Sequence, residues 1–204
     1  HSITKMSQVH LVAAEDYRRR VIQLGEHPDT VHLVGGPSLD NIRRLEFLDR
    51  PALEESLDFQ FGPRNLLITF HPVTLETATS AAQMEELFAA LAGLKETHLI
   101  FTMPNADTDG RVLFDLIKRF VSGRSQDRVY TSLGQLLYLS TLVQVDAVVG
   151  NSSSGLTEVP SFGIGTLNIG DRQRGRLKAQ SVVDCDPDRA SIAEALAYIQ
   201  TAKF

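Results

Sequence analysis

The chain has 204 residues, 43% of them hydrophobic and 22% charged, with a formal net charge of −5, which is enough material for one sizeable core or two small ones. An acidic balance argues against nucleic acid or an anionic membrane surface as the main partner, and no apolar run reaches the length of a spanning helix. One cysteine, Cys185, excludes an internal disulfide framework, and no signal peptide is evident, which fits the cytoplasm; the start on His1 rather than Met suggests a fragment.

In chain order, residues 8–14 read as a buried strand and 15–24 as a helix carrying Arg18, Arg19 and Arg20, closed by Gly25. Residues 31–34 form the next strand candidate. Gly35-Gly36-Pro37 is a tight turn opening a helix over 39–48, with Pro37 where its missing N–H does no harm. The turn is a weak candidate for a second nucleotide contact; with no G-x-G-x-x-G fingerprint, an ordinary βα connection is the commoner reading. Residues 49–64, charged and holding Pro51 and Pro63, read as a connecting helix plus loop and as the one plausible internal boundary.

From Asn65 the rhythm is regular. Strands at 66–70, 98–102, 129–131, 147–150 and 166–169 alternate with helices at 75–94, 108–121, 133–143 and 155–162; a strand at 181–184 and a helix at 188–202 complete the run. Alternation at these lengths predicts an α/β fold, a doubly wound parallel sheet of Rossmann-like type. One domain over 1–204 is expected, with first strand and helix units in 1–50 and the main run in 65–204.

Asn151 to Ser154 falls at a strand-to-helix turn, after the apolar run Ala147 to Gly150. First-turn N–H groups and three serine hydroxyls suit a diphosphate. The plain alternative is a serine-rich N-cap. Glu158, one turn further on, can accept from a ribose diol. Gly163 and Gly165 let the next strand start beside the helix, and Arg172, Arg174 and Arg176 follow that strand into the crevice where ligands of open sheets collect. Together these predict a nucleotide diphosphate site.

His71 ends an apolar strand and is fixed by Pro72, which places it on the ligand side; it is a candidate to donate to a phosphate or to shuttle a proton. Asn105 follows another strand end and can both donate and accept. Asp107 and Asp109 suit a helix start better than a metal, since no third carboxylate stands at ligand spacing. His10, His32 and His98 lie in or beside apolar strands with no zinc-like spacing, and Cys185 is given no role.

These motifs, together with His1-Ser-Ile-Thr-Lys-Met-Ser7, Gly35-Gly-Pro-Ser-Leu-Asp40, Thr69-Phe-His-Pro-Val-Thr74, Pro104-Asn105, Gly150-Asn-Ser-Ser-Ser-Gly155 with Glu158, and Arg172-Gln-Arg-Gly-Arg176, resemble the hydrolysing UDP-N-acetylglucosamine 2-epimerases of sialic acid synthesis. The resemblance implies the second, UDP-binding half of a glycosyltransferase-B fold, with the N-terminal domain of the parent enzyme absent. It implies release of N-acetylmannosamine and UDP by elimination and then hydration, without a cofactor. Ser152, Ser153, Ser154, Gly155, Glu158 and Arg172 match positions that hold UDP, Asn105 and Leu133 match the uridine side, and His71 matches the histidine at the reacting end. The family's essential carboxylates lie in the absent half, so the fragment alone is expected to be inactive and the parent to be at least a dimer. A UDP-sugar-dependent glycosyltransferase and a non-catalytic nucleotide-sugar-binding domain are the rival readings.

Overall fold

A computed structural model describes residues 1–73, 80–104 and 110–201. The chain divides into two compact units, His1–Leu45 and Glu46–Phe204.

The first unit contains α1 (Ser2–Met6), β1 (His10–Val12), α2 (Glu15–Gln23), a 3-10 turn at Pro28–Thr30, β2 (Val31–Leu33) and α3 (Pro37–Arg44). Strands β1 and β2 pair in parallel, His10 opposite Val31, in a two-stranded sheet of their own. The expectation of one sheet through the chain gives way here to two. Strands inside a parallel sheet are buried on both faces, whereas Leu11 is 67% and Leu33 52% exposed. Glu26 ties this unit together, accepting from Lys5 Nζ at 2.7 Å and lying 3.2 Å from the buried His10 Nε2. The Lys5 contact lowers the Glu26 carboxyl below its usual pKa.

The second unit begins with α4 (Arg50–Leu57), which the sequence placed in a boundary segment. The division instead falls just ahead of it, because Leu53 and Leu57 are buried and Asp49 caps the helix by accepting from the Ala52 N–H at 3.0 Å. There follow β3 (Arg64–Thr69), α5 (Ser80–Leu91), β4 (Thr97–Thr102), α6 (Gly110–Ser122), β5 (Arg128–Tyr130), α7 (Gly134–Gln144), β6 (Ala147–Gly150), α8 (Ser154–Thr157), a 3-10 turn at Val159–Phe162, β7 (Gly165–Ile169), β8 (Val182–Cys185) and α9 (Arg189–Thr201). The strands form one parallel sheet in the order β5-β4-β3-β6-β7-β8. The chain winds outward from β3 through β4 and β5, then returns to β3's other side with β6. This is a doubly wound α/β fold, and its switch point lies between the carboxyl ends of β3 and β6.

Period-two alternation builds both faces of the sheet. Leu66, Ile68, Leu99, Phe101, Val149 and Leu167 point into a core shared with α5, α6 and α9, where Phe88 stacks on Phe120 at 4.3 Å between centroids. The intervening residues Leu67, Ile100 and Val148 are equally buried. A sheet without a wet face leaves only its strand ends open for polar chemistry.

Candidate functional site

Gly150 ends β6 at the switch point. A Cβ there would sit 2.0 Å from the Thr69 carbonyl oxygen, and its φ of +139° is one that side chains rarely adopt, so only glycine lets β6 run this close to β3 before turning away. The turn that follows holds Asn151 buried and Ser152, Ser153 and Ser154 half-buried. Ser153 starts α8, its carbonyl accepting from the N–H groups of Leu156 and Thr157 at 3.0 and 3.1 Å. The Ser152 Oγ accepts from the Ser154 N–H at 3.4 Å.

The helix is shorter than the sequence suggested. Pro160 has no N–H to continue an α-helical ladder, so α8 stops at Thr157 and a 3-10 turn takes over. A single turn carries less dipole than a full helix, and more of any anion's stabilisation falls to hydroxyls and to Arg172. Gly155 is buried beneath the turn. A Cβ on it would meet Thr166 Cγ2 at 2.6 Å, and Thr166 Oγ1 donates to its carbonyl at 2.8 Å. Its place is thus the close packing of α8 on β7.

A hollow of about 440 Å³ opens over the switch point, walled by His71, Thr102, Leu133, Tyr138, Ser152 and Ser154 among others. The structure therefore brings four of the predicted residues, His71, Leu133, Ser152 and Ser154, to one place. Thr69 and Thr102 share a buried 2.6 Å hydroxyl contact in the same wall. Ser153 and Glu158 belong to the same turn but do not form the wall, and Asn105 lies outside the described residues. The three arginines do not converge. Arg172 reaches the turn, donating from Nη1 to the Asn151 carbonyl at 3.0 Å, but Arg174 lines a different hollow and Arg176 is exposed. Tight turning at Gly170 and Gly175, with φ of +71° and +79°, sends successive side chains of the loop in different directions.

Sequence reasoning missed Tyr138. It lies on α7, and its hydroxyl is hydrogen-bonded to Ser154 Oγ. Burial pushes the phenol up to about 12; the Ser154 bond works against that rise and the Glu158 charge adds to it. At neutral pH the group is protonated and acts as a hydrogen-bond partner, not as a base. The available signal was a lone tyrosine amid the leucines of this helix, since a buried phenol seeks a partner.

Comparison with known proteins places the chain in a family. The family model for UDP-N-acetylglucosamine 2-epimerase matches residues 1–203. A GDP/UDP-N,N'-diacetylbacillosamine 2-epimerase (hydrolyzing) of Campylobacter jejuni is 37% identical over 187 residues, covering 91% of this chain and 49% of that protein. A polysialic acid biosynthesis protein of Escherichia coli is 38% identical over 208 residues, covering 100% and 52%. The chain thus spans about half the length of the curated relatives it matches. Among solved structures, the S. aureus MnaA-UDP co-structure superposes with a TM-score of 0.76 at 11% identity, covering 98% of this chain and 52% of that one. The chain shares the parallel-sheet α/β fold of this glycosyltransferase-B-type structure, and it belongs to the UDP-N-acetylglucosamine 2-epimerase family.

Proposed function

We propose that this chain is the UDP-binding half of a hydrolysing 2-epimerase acting on UDP-N-acetylglucosamine, with residues 46–204 as the nucleotide domain. The observation that carries the reading is one hollow at the sheet's switch point where His71 faces a hydroxyl-rich turn that Arg172 also reaches. Ser152, Ser153, Ser154 and Arg172 are assigned to the diphosphate, Leu133 and Asn105 to the uridine, Glu158 to the ribose and His71 to the sugar end. The Campylobacter relative and a 32% identical Legionella pneumophila one are both named as hydrolyzing 2-epimerases, which supports that branch.

The reaction requires a base to take the C2 proton. The electrons of that C–H bond form a C1–C2 double bond while the C1–O bond breaks and its pair leaves with UDP; water then adds across the double bond to give N-acetylmannosamine. This half supplies stabilisation of the departing diphosphate, through charge-assisted hydrogen bonds in a partly dry hollow. It offers no evident base among the described residues. Among the described residues, no carboxylate lines the hollow, and Tyr138 holds its proton. A preceding domain, closing over the sugar in the whole cytoplasmic and at least dimeric protein, is assigned that role.

The Campylobacter relative's name favours a second substrate, UDP-N,N'-diacetylbacillosamine. Incubating the 204-residue chain with each nucleotide sugar, and assaying UDP and free sugar, tests the proposal. Binding of UDP without turnover is expected. Turnover abolished by His71→Ala would show a complete active site in this chain and overturn the half-enzyme reading.

A further inference from the structure

The β3–β6 ladder runs from Leu66 opposite Ala147 to Thr69 opposite Gly150, and the Asn151 N–H still donates to the Thr69 carbonyl at 3.2 Å. Beyond that point β6 has turned away, yet pairing continues by one rung. The Asn151 side-chain Oδ1 accepts from the His71 N–H at 2.7 Å, and its Nδ2 donates to the His71 carbonyl at 2.9 Å. The carboxamide thus replaces a peptide group, offering one acceptor and one donor to a neighbouring residue as a strand would. Asn151 itself is 1% exposed. Its backbone carbonyl meanwhile accepts from Arg172 Nη1 at 3.0 Å and from the buried Gln173 Nε2 at 2.8 Å.

One residue therefore binds three parts of the site: the end of β3, the serine turn and the loop after β7. We infer that Asn151 is a positioning residue that couples occupancy of the serine turn by a nucleoside diphosphate to the placement of His71. The inference rests on the UDP reading above. The regular ladder itself ends at Thr69 opposite Gly150, two residues short of His71. His71 lies just beyond β3, and the Asn151 carboxamide holds both of its backbone polar groups. An anion drawing on Ser152 and Arg172 pulls on the two flanks of Asn151, and the side chain passes the displacement to the His71 backbone.

The test uses the 204-residue chain and two readouts. The first, without ligand, is hydrogen–deuterium exchange at the His71 amide. The second is the change in the His71 ring NMR signals on saturation with UDP, alongside UDP affinity by calorimetry. In Asn151→Ala, checked for a cooperative melt, the His71 amide is expected to exchange about tenfold faster or more, UDP to bind about tenfold more weakly, and the UDP-induced ring shift to disappear. Asn151→Asp keeps the acceptor and loses the donor; it is expected to retain slow exchange at the amide with a reduced ring shift. Should the alanine variant fail to fold, the near-isosteric aspartate variant decides. Unchanged ring response to UDP in a folded variant overturns the coupling. Wild-type protein that binds no UDP removes the nucleotide reading and the coupling built on it; His71 exchange equal to wild type in Asn151→Ala overturns the clamp itself.

Discussion

Two hollows open at the carboxyl edge of the same sheet, and they differ in the charges that line them. The larger, about 550 Å³, lies over the ends of β7 and β8 and holds Asp171, Arg174, Lys178, Asp184 and Asp186. Two of these charges are paired. Lys178 Nζ lies 2.7 Å from both Asp184 oxygens, and Asn168 Nδ2 donates to the same carboxylate at 2.7 Å. Cys185 in its wall is no nucleophile, since burial first, and then the charges of Asp186, Asp188 and Asp184, push the thiol up to about 12. The smaller hollow, about 440 Å³, has no such internal ion pair among its described walls, and presents hydroxyls and an imidazole instead. The proposed nucleotide site is the smaller one, whose described walls bring no carboxylate to repel an anion, whereas the larger has three.

The sharpest way to break this contrast is Gly150→Ala. With an added Cβ 2.0 Å from a backbone oxygen, β6 must leave β3, and a loss of about 4 kcal/mol or more is expected in chemical denaturation, as for other severe backbone clashes. A variant as stable as wild type would mean the two strands do not approach as described.

Next in size, Ser152→Ala and Arg172→Ala are each expected to weaken UDP binding by about 1 to 3 kcal/mol, the usual cost of losing a hydrogen bond to a charged group. Calorimetry on folded variants measures it, and affinities equal to wild type would remove these residues from the site.

Tyr138→Phe should cost about 1 kcal/mol of stability, since it deletes one hydrogen bond and leaves the ring's packing intact. The phenol also carries a signature in pH. Its folded pKa is raised from 10 to about 12, as is that of Tyr130, so both contribute stability that is present below pH 10 and lost as pH rises toward 12. Melting curves across that range should show a shallower decline in Tyr138→Phe.

The smallest effect is expected in the larger hollow. Lys178→Met removes an ion pair whose Asp184 side is 54% exposed, which should change stability by less than about 1 kcal/mol and UDP affinity not at all. A loss of UDP binding there would reverse the assignment of the two hollows.

Much of this arrangement was legible in the sequence because the parallel sheet is buried on both faces. Continuous apolar runs such as Leu66 to Phe70 then stand out against helical periods, and polar residues gather only at strand ends, where His71 and Ser152 were found. The stop in α8 was legible too, in Pro160. Three features left little trace. Tyr138 looks like one more large residue of an apolar helix. Asn151 looks like a cap residue, and its contacts with His71, 80 positions away, exist only once β3 and β6 are paired. The separation of β1 and β2 from the main sheet was hidden because pairing partners are a tertiary fact, and strands of three residues carry too short a pattern to reveal them.

The exposed faces of β1 and β2 also bear on how the molecule would keep time in heavy water. Amides of β3 lie at the centre of a six-stranded sheet with a partner on either side, so their protons should be released only when the whole second unit opens. Those of His10 to Val12 are guarded by one neighbouring strand, and opening them requires undoing far less apolar contact. A deuterium time course should accordingly show two clocks in one polypeptide, a fast one before residue 45 and a slow one set by β3.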